Sequence, residues 1–345
     1  MATRPFIDSL AIGRFLTIEL ARATELAAVA AAQFRGRGDE MAAGEAALLA
    51  MRSHLALLPA HGRVVIGEGA SASAFYFGEI LGSPGAPNVD LAVAPLEGAT
   101  LCVKDMAGSI SIAAAAMPNA LLNVPEVYMD KIAIGPGYPM GVVDLDRSPQ
   151  ENITSLAKAK GVASSEINVC ILDRPRHSEL IAACRAAGAR IRLISDGDVA
   201  GVIVTAAPSE TGVDLYLGRG GAPEGVLAAA VLACVGGQMQ GRLVLENNDQ
   251  RARAAAHGIT DSGRTYNISD MVSGDVVVCV TGVTDGPLAR GVMIDKDYIE
   301  TDTLVLIDEQ QDKQDRIEFL TAVGGFLRQA VDAAKANPGM TPLLG

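Results

Sequence analysis

Residues 63–104 constrain the fold of this chain more than any other stretch. An apolar run at 63–66 leads into Gly67-Glu68-Gly69, and a second at 89–93 leads into Ala94-Pro95-Leu96-Glu97-Gly98-Ala99-Thr100. Short apolar runs bounded by Gly and Pro read as buried strands. Each run is followed by an acidic residue held in a turn, so Glu68 and Glu97 are expected together at the edge of one sheet. Carboxylates presented in that way are the donors a hard divalent cation takes.

The rest of the chain supplies the layers around that sheet. Residues 7–33 carry Leu10, Phe15, Ile18, Leu20, Leu26 and Val29 at helical spacing and stop at Gly36-Arg37-Gly38. Asp39 then precedes an Ala-rich helix at 41–58, where capping is the simplest role for it. Residues 109–114, 120–123 and 128–134 read as strands between Pro and Gly turns, in a mixed and largely antiparallel sheet. From residue 148, helices at 153–160, 178–187, 199–205 and 226–234 alternate with strands at 168–172, 190–194 and 213–217. Such alternation predicts a parallel or mixed sheet covered by helices. The expected fold is therefore α/β, with a mixed N-terminal sheet and a second, more parallel α/β half.

A boundary is expected at 144–150, where Asp, Arg, Ser and Pro cluster. Residues 1–147 plus about 270–345 would form the half carrying the acidic edge, with strands at 276–281 and 303–307 returning to its sheet. Residues 148–269 would form the other half, and an amphipathic helix is expected at 315–334. A chain of 345 residues is long enough for two domains or one large layered unit.

Charge narrows the partners. A net charge of -12 repels nucleic acid and anionic membranes. No apolar run reaches the roughly 18 residues of a membrane span, and no secretion signal follows Arg4. Cys102, Cys170, Cys184, Cys234 and Cys279 are odd in number and scattered through apolar segments, which reads as buried thiols in a cytoplasmic protein.

Three polar clusters fall at strand ends, where open α/β sheets bind ligands. Asp173-Arg174-Pro175-Arg176-His177 opens a helix and reads as an anion site or as a solvated basic turn. Asp196-Gly197-Asp198 reads as a site for sugar hydroxyls or a cation, or as helix caps. Gly218-Arg219-Gly220-Gly221-Ala222-Pro223-Glu224-Gly225 reads as backbone that approaches a ligand with Glu224 presented to it, or as a tight turn.

The order of these motifs resembles the class II fructose-1,6-bisphosphatases, of the metal-dependent, lithium-sensitive sugar and inositol phosphatase superfamily. The resemblance covers roughly residues 10–310. It rests on Gly36-Arg37-Gly38-Asp39, Val65-Ile66-Gly67-Glu68-Gly69, Pro95-Leu96-Glu97-Gly98, Val127-Tyr128-Met129-Asp130-Lys131, Gly135-Pro136-Gly137 and the three clusters above. It implies a layered α/β/α/β sugar-phosphatase fold in a homodimer or homotetramer. The implied reaction is removal of the 1-phosphate of fructose 1,6-bisphosphate, or a phosphate of sedoheptulose 1,7-bisphosphate, with Mg²⁺ or Mn²⁺. Asp39, Glu68, Glu97 and Glu224 would hold metal, with Glu68 and Glu97 at the chemistry. Glu97, Gly98, Ala99, Tyr128, Arg174, Pro175, Arg176, Asp196, Gly197, Asp198 and Gly221 would hold the sugar and its phosphates.

The chain departs from the family pattern on the metal side. The pattern Asp-Pro-x-Glu-Gly-Thr, whose Asp bridges two metals and whose Thr positions the attacking water, appears here with Ala94 and Ala99. An acidic segment is replaced by Ala70-Ser71-Ala72-Ser73, a Lys by Glu40 and an Asp by Gly44. Asp90 is no substitute, because four residues of strand place it about 13 Å from Ala94. Two function classes follow. One is a phosphatase with reduced activity. The other is a catalytically inactive paralogue that binds a sugar phosphate, as a sensor or as a partner mixed with an active homologue.

Overall fold

The computed structural model describes residues 9–68 and 75–308. The replaced acidic segment at 70–73 and the expected helix at 315–334 lie outside the described residues. In chain order the strands are β1 (His61–Ile66), β2 (Ile80–Gly82), β3 (Asn88–Glu97), β4 (Ile110–Ala116), β5 (Tyr128–Ile134), β6 (Asn168–Leu172) and β7 (Arg190–Ile194). They continue with β8 (Leu215–Gly221), β9 (Gln238–Val244), β10 (Thr265–Asn267), β11 (Val276–Gly282), the short pair β12 (Met293–Ile294) and β13 (Ile299–Glu300), and β14 (Thr303–Asp308). One sheet has the order β14-β11-β4-β3-β1-β2 and the other β10-β9-β5-β8-β6-β7. Both are mixed: β1 runs parallel to β3 in the first, and β6 runs parallel to β7 and β8 in the second.

Helices separate and cover the sheets. α1 (Ser9–Ala32) and α2 (Glu40–Leu55) lay Leu20, Ala27, Ala47 and Met51 against Leu91, Ala113 and Cys279 on the outer face of the first sheet. α3 (Ala99–Val103) follows β3 directly. α4 (Pro149–Lys160) and α5 (Ser178–Ala186) cover the far face of the second sheet through Ile153, Leu156, Ile181 and Cys184. α6 (Asp198–Ile203), α7 (Pro208–Thr211) and α8 (Ala222–Val235) come next along the chain. α8 is apolar nearly all round, as a helix with protein on both sides must be. Its Val226, Leu227 and Val231 share one core with Ile112 and Val278 of the first sheet and with Met129 and Tyr216 of the second.

The layers therefore run helices, sheet, α6 with α8, sheet, helices. The α/β/α/β succession is present, with α4 and α5 as a further outer layer. Each buried Val, Leu or Ile contributes roughly 1.5–3 kcal/mol of transfer free energy. The central seam, shared by both sheets and α8, holds the sheets and whatever lies between their edges at a fixed separation.

Two expectations about strands need correction. Residues 128–134 do form a strand, but β5 pairs with β8 and β9 in the second sheet instead of joining the first. Residues 120–123 do not form a strand; only Leu121 makes a bridge, to Val272. Pro118 and Pro125 flank that short run, and proline carries no donor for a ladder. The region 237–269, for which the sequence offered no elements, forms β9, α9 (Asn248–Ala256) and β10. α4 begins at the expected boundary with a capping box, in which Ser148 accepts from Glu151 N–H and Glu151 accepts from Ser148 N–H. All five cysteines are buried. No described helix is long and apolar enough to cross a membrane.

Candidate active site

A cavity of about 590 Å³ opens between the edges of the two sheets. Its first wall comes from the ends of β1 and β3. Gly67 is required there because a Cβ would sit 2.1 Å from the Phe75 carbonyl oxygen, and Glu68 follows it at the cavity wall. On β3, Ala94 pairs with Ile112 and Glu97 with Ile110, so three steps on one strand oppose two on the other. Strict alternation would point residues 94 and 97 to opposite faces. The bulge at Pro95-Leu96 cancels that, and both residues line the cavity. Gly98 then turns the chain with a φ of 78°, a conformation that favours glycine, into α3.

The opposite wall comes from the second sheet and its loops. Glu126, Tyr128, Asp196, Gly221 and Glu224 line it. Gly221 is flush with Glu224, since a Cβ there would lie 1.8 Å from Glu224 Oε2. That oxygen is buried and has no hydrogen-bond partner. Burial raises the Glu224 carboxyl above the ordinary carboxylate range, while the Lys131 charge pulls it back. Burial, then the charges of Glu224 and Asp198, push Glu97 up to about 8, against the N–H of Val199, which holds it down. Burial, then Glu224 and Glu126, push Glu68 up to about 7. These carboxylates thus repel one another in a partly dry space.

The expected site residues divide into four groups. Glu68, Glu97, Gly98, Ala99, Tyr128, Asp196, Gly221 and Glu224 all line the cavity. Arg174, Pro175 and Arg176 do not line it. Arg176 reaches its rim, with its guanidinium 4.8 Å above the Tyr128 ring and a hydrogen bond of 2.9 Å to the Arg219 carbonyl. Arg174 donates only to the Asp173 carbonyl, at 3.3 Å. Gly197 is buried at the start of α6 with a φ of 84°. Asp198 is buried beneath the cavity, bonded to Lys131 and Tyr216. Asp39 is exposed and accepts from Ala42 N–H, which is the capping role and lies away from the cavity lining.

Glu126 and Gln250 also line the cavity, and neither is flagged by the sequence. Lys131 and Tyr216 were readable in part. Lys131 sits two residues from Met129 and two from Ala133, so strand alternation already puts it on the apolar face.

Whether this donor set suits a metal turns on the carboxylates. Glu224 has an orphaned buried oxygen, and three repelling carboxylates want an opposite charge. Both would be relieved by a hard divalent cation, which takes carboxylate oxygens. They do not fit a bridged pair, because the bridging position is Ala94. Among the described residues no three His, Cys, Asp or Glu side chains are grouped closely enough to hold a metal ion.

Comparison with known proteins agrees with this arrangement of motifs. Residues 14–319 match the family described as bacterial fructose-1,6-bisphosphatase, glpX-encoded. A protein of Synechococcus sp. (strain RCC307), named D-fructose 1,6-bisphosphatase class 2/sedoheptulose 1,7-bisphosphatase, is 40% identical over 309 residues, 85% of this chain and 92% of its own length. A protein of the same name from Prochlorococcus marinus (strain NATL1A) is 39% identical over 311 residues, with the same coverage of 85% and 92%. The chain belongs to the glpX-encoded bacterial fructose-1,6-bisphosphatase family.

Proposed function

We propose that this chain is a slow sugar-bisphosphate phosphatase, releasing the 1-phosphate of fructose 1,6-bisphosphate, or a phosphate of sedoheptulose 1,7-bisphosphate, with Mg²⁺ or Mn²⁺. The observation that carries this reading is the meeting of Glu68, Glu97 and Glu224 around one cavity whose rim is Tyr128 under Arg176. Glu68, Glu97 and Glu224 would hold the cation, which supplies positive charge to the phosphate oxygens when bound. The chain's own contribution is to place and exclude. Asp196 and the Gly221 backbone face the sugar, Tyr128 stands at the rim beside the distal phosphate, and Arg176 supplies the positive charge at that end. Ala99 leaves the attacking water without the hydroxyl that the family pattern provides, which supports slow turnover.

A cytoplasmic homodimer or homotetramer belongs to the same proposal. It is supported by the family resemblance, and the cytoplasmic part by five buried cysteines. A second reading, a sugar-phosphate-binding protein without turnover, is favoured by Ala94 and Ala99 together. Phosphate release from fructose 1,6-bisphosphate with Mn²⁺ or Mg²⁺, set against the same assay in EDTA, separates the two. Metal-dependent release slower than about 1 per second is expected, below typical enzyme rates. Substrate binding without release supports the second reading, and neither binding nor release overturns both.

A further inference from the structure

Both carboxylate oxygens of Asp198 accept from donors inside the protein. Oδ2 receives the Lys131 ammonium and Oδ1 the Tyr216 hydroxyl. Both donors are interior groups, Lys131 being 1% and Tyr216 0% exposed. A lysine that deep needs a partner, because an unpaired interior charge is strongly unfavourable. The fold clears room for the group. On β5, Lys131 faces Gly218 of β8 on one side and Gly241 of β9 on the other. A Cβ at Gly220 would lie 2.1 Å from Asp198 Oδ2, and one at Gly225 would lie 3.2 Å from Lys131 Cε.

Asp198 is also the first residue of α6, and the next N–H along, that of Val199, donates to Glu97 Oε1 at 2.7 Å. We infer that Lys131 and Tyr216 are positioning residues which act through Asp198, pinning the start of α6 and thereby Glu97. The side chain that touches the cavity is Glu97; the three beneath it set where it stands. The consequence for metal binding rests on the proposed function, whereas the consequence for α6 does not.

Three variants test this: Tyr216→Phe, Lys131→Met and Asp198→Asn. Amide hydrogen exchange over residues 196–203, Mn²⁺ binding by calorimetry, and fructose 1,6-bisphosphate binding in EDTA are measured for each. The expected result is exchange at least about 10-fold faster and Mn²⁺ binding about 10-fold weaker, the usual size of an indirect ligand effect. Affinity for the sugar bisphosphate in EDTA should stay within about 2-fold in Tyr216→Phe. Tyr216→Phe keeps the volume and decides the matter where Lys131→Met fails to fold. Unchanged exchange in Tyr216→Phe overturns the inference. Faster exchange with unchanged Mn²⁺ binding overturns it too, since Glu97 would then stand independently of α6. If the unaltered protein binds no Mn²⁺, the phosphatase reading fails and exchange alone decides this one.

Discussion

Glu97 Oε1 accepts a hydrogen bond of 2.7 Å from the backbone N–H of Val199, 102 residues further along the chain. A second bond runs the other way, from Thr100 N–H to Asp196 Oδ2 at 3.3 Å. Each of two loops thus lends a carboxylate to the first turn of the other's helix, α3 or α6, where amides have no partner within the helix. The two sides of the cavity come from different sheets, and these bonds join them at the point where the chemistry would take place.

Glu97 should therefore make stability depend on pH. Its carboxyl titrates near 8 in the fold and near 4.5 in an open chain, so the fold favours the protonated form. Below about pH 4.5 both states are protonated and nothing is lost. As pH rises from there to about 8, only the unfolded state releases its proton, and stability falls. Glu68, pushed up to about 7, adds to the same slope. Urea unfolding in EDTA between pH 5 and pH 8 should show this decline, and Glu97→Gln should flatten most of it. A profile that rises over the same range contradicts the assignment.

Cation binding should run the opposite way. A carboxylate must be ionised to ligate, so Mn²⁺ affinity should climb between about pH 6 and pH 9 as Glu68 and Glu97 lose their protons. Calorimetric titration at three pH values would check this. Affinity independent of pH would place the cation somewhere other than on these two groups.

Two glycines should respond in opposite senses. Gly44 lies inside α2 with nothing within 4 Å of an added Cβ, so Gly44→Ala should stabilise by about 0.5–1 kcal/mol through helix propensity. Gly220 faces the fixed carboxylate of Asp198, so Gly220→Ala should cost about 1–3 kcal/mol, the range for overpacking. Thermal unfolding of both variants would read the difference. Equal melting temperatures would mean that the Asp198 group yields more easily than its bonding implies.

Much of the cavity was legible because local rules act on local sequence. Glu68 and Glu97 follow apolar strands and turn residues, and Gly221 with Glu224 opens a helix, so each announces its own position. Ser148 and Glu151 mark the start of α4 in the same manner. The parts that were missed depend on partners far away in sequence. Lys131 is 67 residues from Asp198, and nothing adjacent says that a strand lysine is paired indoors. The membership of β5 in the second sheet likewise depends on β8 and β9, whose pairing lies beyond any short window. Asp39 shows the converse case. Position alone offers a helix cap and the resemblance a metal ligand, and its side chain accepts from Ala42 N–H as a cap does.

The two alanines allow a direct test of whether the site is weakened. Ala94 and Ala99 both line the cavity, on either side of Glu97, and the bulge in β3 turns residue 94 to the same side as Glu97. A carboxylate introduced by Ala94→Asp would therefore face Glu97 and Glu224 directly, and a hydroxyl introduced by Ala99→Thr would stand beside them. Restoring one indirect ligand contact is commonly worth about 10- to 100-fold in metal affinity or activity. A direct ligand should give at least that. Phosphate release from fructose 1,6-bisphosphate with Mn²⁺ should rise at least about 10-fold in the Ala94→Asp, Ala99→Thr double variant over the unaltered protein. Turnover of about 1 per second or more before any change would mean that a bridging carboxylate is not needed, and that the site works through Glu68, Glu97 and Glu224 alone. A double variant that folds and binds substrate yet stays silent would locate the loss elsewhere on the metal side, with Gly44 and residues 70–73 as the next positions to restore.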